Sequence, residues 1–242
     1  MALLATEDVV VRFGGVRALS ETSVDVDPGR VTGLIGPNGA GKTTLFNVIT
    51  GLLDPDAGRV VLDGRDITRF SPFRRARLGI SRTFQKLEAF SSLSARENVL
   101  VAAEQRKAWD RSPFRPGAVA DELLGVVGIA DVGNYMVGTL PTGTARLVEL
   151  ARALALNPRV LLLDEPSSGL NEEETTAMAG LLRRLVADGL AVLLVEHDMS
   201  FVMGTCELIY VLEFGQIIAT GAPDRIRSDP AVQAAYLGTV AS

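Results

Sequence analysis

The feature that most constrains this 242-residue chain is the run Gly36-Pro37-Asn38-Gly39-Ala40-Gly41-Lys42-Thr43, which fits G-x-x-x-x-G-K-[ST]. The apolar run Arg30–Ile35 before it reads as a strand, and Thr43–Thr50 after it reads as a helix. Each element has a chemical reason. Glycines let backbone N–H groups turn inward and form an anion cradle that no Cβ obstructs. The helix beginning near Lys42 aims its positive end at the same point. Lys42 places a point charge where β- and γ-phosphates would lie, and Thr43 offers a hydroxyl to a magnesium ion. Gly36 to Thr43, together with Thr44, are therefore the candidate phosphate-binding residues.

A second motif lies far downstream. Val160-Leu161-Leu162-Leu163-Asp164-Glu165 is an apolar strand ending in two carboxylates. Asp164 at the strand tip suits a metal ion, reached through water. Glu165 beside it suits a general base, because water is a weak nucleophile at neutral pH.

The rest of the chain fits an α/β core with an insertion. Asp8–Phe13 and Leu19–Val26 read as strands around a Gly14-Gly15 turn, and Val60–Leu62 reads as another. Arg159–Leu163 and Leu190–Val195 are continuous apolar runs of the kind buried on both faces of a parallel sheet. Between them Glu172–Asp188 has helical spacing. The stretch from about Ser91 to Asn157 reads as helical, with Ala95–Glu104 and Ala118–Val127 joined by the charged segment Gln105–Gly117. Pro223–Arg227 and Pro230–Leu237 read as two short helices, and Met199, Phe201, Val202 and Met203 as helix packing. The expected organisation is one domain over 1–242. Residues about 1–90 and 158–222 form the nucleotide-binding core, 91–157 a helical insertion and 223–242 a tail.

Composition narrows the function. The formal charge of −5 argues against sequence-independent nucleic-acid binding and against a polybasic membrane anchor. The longest stretch free of Asp, Glu, Lys and Arg is Val132–Ala145, 14 residues broken by three glycines and a proline. A spanning helix needs roughly 18 or more apolar residues, so no membrane insertion is expected. The first residues carry no basic flank, which argues against a signal peptide. The single cysteine, Cys206, excludes an intrachain disulfide and reads as a small core residue.

With the two motifs in place, the chain resembles the ATP-binding cassette (ABC) family, over about Leu4–Gly238. The resemblance implies a P-loop NTPase core of ABC type, with a small antiparallel β subdomain and a helical subdomain insertion. It implies ATP and Mg²⁺ as ligands and assigns roles by position. Phe13 would stack on adenine. Gln85, in Ser81-Arg82-Thr83-Phe84-Gln85, would touch metal and water and sense the transporter partner. Ser167-Ser168-Gly169-Leu170-Asn171 would cross a dimer interface, and His197, the chain's single histidine, would contact the γ-phosphate. The catalytic set is then Lys42, Gln85, Glu165 and His197, and the metal set Thr43, Gln85 and Asp164. The partners implied are transmembrane permease subunits and a second cassette, a copy or a related chain, at the cytoplasmic face of the membrane.

Local text resembles the branched-chain amino acid importer ATPases. The runs are Arg12-Phe13-Gly14-Gly15, Arg82-Thr83-Phe84-Gln85, Glu97-Asn98-Val99-Leu100-Val101-Ala102, Glu196-His197-Asp198-Met199 and Ala235-Tyr236-Leu237-Gly238. Cassettes for urea uptake or lipopolysaccharide export share parts of them. The signature, usually Leu-Ser-Gly-Gly-Gln, departs here to Leu140-Pro141-Thr142-Gly143-Thr144. Proline lacks both the hydroxyl and the N–H that would meet a γ-phosphate on the opposite subunit. One such contact is worth about 2–4 kcal/mol of barrier. Gly143 fits the second glycine of the signature, Thr142 or Thr144 is the candidate for a substitute hydroxyl, and all three are candidate nucleotide-binding residues, with Thr144 also expected to cap a helix over Ala145–Leu156. The altered signature keeps a weakly hydrolysing regulatory subunit open as an alternative. A soluble cassette acting on DNA or ribosomes is disfavoured by the single cassette, the lack of heptads and the negative charge.

Overall fold

The computed structural model describes residues 2–237. The chain opens with an antiparallel hairpin, β1 (Leu4–Phe13) and β2 (Val16–Val26), turning at Gly14-Gly15. β3 (Val31–Ile35) runs into the phosphate loop and α1 (Lys42–Thr50). β4 (Ala57–Leu62) and β5 (Arg65–Asp66) return to the hairpin and complete a four-stranded antiparallel sheet in the order β2-β1-β4-β5. α2 (Pro72–Arg77) and β6 (Ile80–Arg82) follow, then three helices, α3 (Ala95–Lys107), α4 (Pro116–Val126) and α5 (Thr142–Ala155). β7 (Val160–Asp164), α6 (Glu172–Ala187) and β8 (Ala191–Val195) return to the core. The described chain closes with α7 (Met199–Thr205), β9 (Leu208–Glu213), β10 (Gln216–Gly221), α8 (Pro223–Ser228) and α9 (Pro230–Leu237).

The second sheet has the order β10-β9-β3-β8-β7-β6 and is parallel except where β10 meets β9. Every residue of β3, β7 and β8 is buried, as continuous apolar runs require. Successive side chains of a strand point to opposite faces, so each run feeds two cores. Leu34, Val160, Leu162 and Leu193 pack with α1 and the antiparallel sheet. Ile35, Leu161, Leu163, Val192 and Leu194 pack with α3 to α6. Each such side chain contributes about 1.5–3 kcal/mol when fully buried. Arg75, 1% exposed, fixes the far end of α1 by donating to the carbonyls of Val48 and Ile49.

The structure extends the sequence reading in places and corrects it in one. β6 has three residues, too few to show a period, and exists because Ile80–Arg82 pairs with Val160–Leu162 of β7. The hairpin β9–β10 turns at Phe214-Gly215, both at positive φ, a turn signal that the sequence reading passes over. The helix expected from Ala145 begins at Thr142 with Pro141 as its N-cap, and no side chain caps it. Thr144 is therefore in the first turn rather than at the cap: the Pro141 carbonyl accepts the first helical bond, from Ala145 N–H at 3.0 Å. Of the run Ala235-Tyr236-Leu237-Gly238, the last residue lies outside the described residues.

Candidate active site

β3, β8 and β7 are adjacent and parallel, so the loops after them meet at one edge of the sheet. Open α/β sheets bind ligands at that edge. The loop after β3 requires glycine at its two ends. A Cβ on Gly36 (φ 153°) would stand 1.9 Å from the carbonyl oxygen of Leu212, and one on Gly41 (φ 111°) 2.5 Å from that of Ala18. Gly41 is the N-cap of α1, no side chain caps the helix, and its first turn holds no acidic residue. The positive end of α1 is thus left open for an anion. Lys42, 7% exposed, folds its Nζ back onto the carbonyls of Gly36 (2.6 Å) and Pro37 (2.9 Å). Burial pulls its pKa below the usual lysine value, and the charges of Glu165 and Asp164 pull it back up.

β7 ends in Asp164, 4% exposed. The next residue, Glu165, has φ 51°, an uncommon conformation for a residue with a side chain. Its N–H donates to Val195 O at 2.9 Å, locking it against the end of β8. The Glu165 carboxylate is then held on both oxygens. Gln85 Nε2 donates to Oε2 at 2.9 Å, and His197 Nε2 lies 2.9 Å from Oε1. Asn38, Gly39, Ala40, Gly41, Lys42, Thr43 and Thr44 line one cleft of about 230 Å³ with Gln85, Asp164, Glu165 and His197. A larger cavity of about 720 Å³ beside Pro28, Pro158 and Leu190 lies at the opposite ends of the strands and holds none of these groups.

A family model for ABC transporters matches residues 19–168, which include the phosphate loop, Gln85 and both acids. The chain belongs to the ABC transporter family. A second model, for branched-chain amino acid ATP-binding cassette transporters, matches residues 216–242. The branched-chain amino acid transport ATP-binding protein BraF of Pseudomonas aeruginosa is 38% identical over 98% of both chains. The lipopolysaccharide export system ATP-binding protein LptB of Haemophilus influenzae is 36% identical, again over 98% of both. The solved ADP conformation of an ATP-binding cassette superposes with a TM-score of 0.88 at 33% identity, covering 98% of this chain and 99% of the other. The chain is an ABC ATPase, and among its described residues no helix is long and apolar enough to cross a membrane.

Not every residue expected at the ATPase site lines the cleft. Phe13 is 54% exposed near the tip of the β1–β2 hairpin, and the hairpin residue that lines the cleft is Ala18. Gly36 and Pro37 stand behind the cleft and contribute carbonyls to Lys42. Thr142, Gly143 and Thr144 form the first turn of α5 and do not line it. There a Cβ on Gly143 would stand 2.9 Å from Glu174 Oε1 and from Leu170 Cδ2.

Three residues with no role in the sequence reading position this ABC site. Glu196, 3% exposed, accepts from the N–H groups of Ser167 (2.8 Å) and His197 (2.8 Å) and from the Ser167 hydroxyl. It ties the loop carrying Glu165 to the loop carrying His197. Arg146 on α5 donates to the carbonyls of Ser168 (2.7 Å) and Gln85 (3.1 Å), joining two loops to one helix. Arg82 pairs with Asp164 at 2.7 Å. Arg82 and Glu196 belong to runs quoted for the resemblance, but nothing in those runs carries a sign of their bonds.

The cleft's donors suit a hard cation. The Thr43 hydroxyl, the Gln85 amide and the Asp164 carboxylate are oxygen ligands of the kind magnesium takes. Among the described residues no group of three or more His, Cys, Asp or Glu could hold a metal alone. Phosphate oxygens and waters would complete the shell.

Proposed function

We propose that this ABC ATPase powers the uptake of branched-chain or related amino acids through a transmembrane permease, as one of two cassettes at the cytoplasmic face of the membrane. The observation that carries the catalytic reading is Glu165 held between Gln85 and His197 in the cleft that also holds Lys42. ATP phosphates would take the place of the Gly36 and Pro37 carbonyls at Lys42 Nζ, with the open end of α1 beneath them. Glu165 then accepts a proton from the attacking water. Lys42 and His197 stabilise the charge that develops on the transferred phosphoryl group. Thr43, Gln85 and Asp164 would hold Mg²⁺, which when bound neutralises charge on the β- and γ-phosphates.

Pairing of cassettes is supported by what the cleft lacks. The signature turn Thr142-Gly143-Thr144 does not line its own chain's cleft, so its N–H groups are free to complete that of a second cassette. ATP then binds the closed pair better than the open one, and that difference shifts the permease between states. Gln85 and the helices α3 to α5 form the side through which this movement would pass.

The cargo rests on the C-terminal match and on BraF, whose name is that of a branched-chain amino acid transport protein. LptB supports a second reading, lipopolysaccharide export. Deleting the gene and measuring uptake of labelled leucine, isoleucine and valine separates them. Loss of uptake, restored by the wild-type chain and not by Lys42→Ala, is the expected result. Normal uptake with a defect in surface lipopolysaccharide would replace this reading with the second.

A further inference from the structure

Arg82 is a buried cation that the ATPase chemistry above does not use. Its side chain is 5% exposed, as is that of Asp164, and the two are joined at 2.7 Å from a guanidinium nitrogen to Oδ2. The other terminal nitrogen donates to Asn47 Oδ1 on α1 at 2.6 Å. The guanidinium lies over two rings, 5.2 Å from the Phe46 centroid and 4.8 Å from that of Phe84. Its Nε is buried and makes no hydrogen bond. Leaving an N–H unsatisfied is costly, so the head group is held where the bond to Asp164 is made at the expense of another. Burying a carboxylate is costly unless it is paired, and Arg82 is the partner of Asp164.

We propose that Arg82 is a positioning residue that keeps Asp164 charge-paired, so that the site takes up a divalent cation only together with nucleotide phosphates. The proposal rests on Asp164 being the metal-carrying acid. A cation approaching Asp164 without nucleotide meets a fixed positive charge in low dielectric, and among the described residues no group of three or more His, Cys, Asp or Glu stands there to offset it. Phosphates supply both the missing ligands and the missing negative charge. Arg82 also stacks on Phe84, next to Gln85, so one short segment holds both acids: Arg82 grips Asp164 and Gln85 grips Glu165.

The test is Mn²⁺ binding to the nucleotide-free, full-length protein, read by electron paramagnetic resonance. Arg82→Gln and Arg82→Met remove the charge and keep much of the stem, and should bind Mn²⁺ about tenfold or more tighter than wild type. Arg82→Lys keeps the charge and should bind Mn²⁺ as wild type does. Neutral variants that fold, by circular dichroism, and bind Mn²⁺ no tighter than wild type would overturn the proposal. So would an Arg82→Lys variant that binds as tightly as they do. Should the neutral variants not fold, the wild type decides: tight Mn²⁺ uptake without nucleotide overturns the idea, and uptake only with ATP supports it. Asp164→Asn is a separate control. If it binds Mn·ATP as wild type does, the metal role of Asp164 fails, whatever Arg82 does.

Discussion

Four helices of this molecule, α1, α3, α5 and α6, start in two different ways. α3 and α6 begin with capping boxes, Ser94 with Glu97 and Asn171 with Glu174, in which a side chain takes the first free N–H groups and a carboxylate sits at the positive end. α1 and α5 begin without any side-chain cap and without an acid in the first turn. The first pair is closed and serves the fold. The second pair is open to an anion, and both starts fall in the motifs of the ABC family. They differ in their surroundings. The start of α1 is ringed by Lys42, Asp164, Glu165, Gln85 and His197 in one cleft. The start of α5 has Pro141 before it and is packed on the capped end of α6. One helix start stands inside a cleft of converging groups and the other stands outside it.

Substitutions can break or sharpen that contrast. Glu165→Gln should have the largest effect, lowering steady-state hydrolysis by about 10²–10⁴-fold while ATP binding persists and a stable dimer accumulates. Normal turnover, measured by phosphate release, would remove Glu165 from the role of base. At α5, Pro141→Ser restores a hydroxyl and an N–H, and should raise hydrolysis in the assembled transporter by up to about a hundredfold. ATP affinity of the isolated chain should not move. An unchanged rate would mean that Thr142 or Thr144 already supplies the contact. Gly143→Ala is the mildest, a net loss of at most about 1 kcal/mol, because the new Cβ displaces only the side-chain ends of Glu174 and Leu170 and alanine favours a helix over glycine. A thermal melt identical to wild type would show that the α5–α6 contact yields freely.

The ring around α1 shows how far sequence reading reaches. The glycine loop, the strand ending in Asp164-Glu165, Gln85 and His197 were all legible, because each is a short local pattern or stands in a recognisable run. The elements β3, α1, β7, α6 and β8 were legible for the same reason: their periods are strong and their ends are marked. β6 was not, since three residues have no period and take their form from β7. Glu196, Arg146 and Arg82 were not, because their partners lie 29, 22 and 82 residues away. The start of α5 departs from a local rule, capping by threonine, because the Pro141 carbonyl takes the first helical bond.

By itself the sequence determined which chemical groups the protein carries and the order of strands and helices that present them, since backbone preferences and side-chain periods are properties of neighbouring residues. Only the tertiary structure decided which charges face one another. It set Glu165 in a left-handed conformation between Gln85 and His197 and gave Asp164 a buried arginine. Those arrangements depend on the adjacency of β3, β8 and β7, and distance in space is not written in distance along the chain.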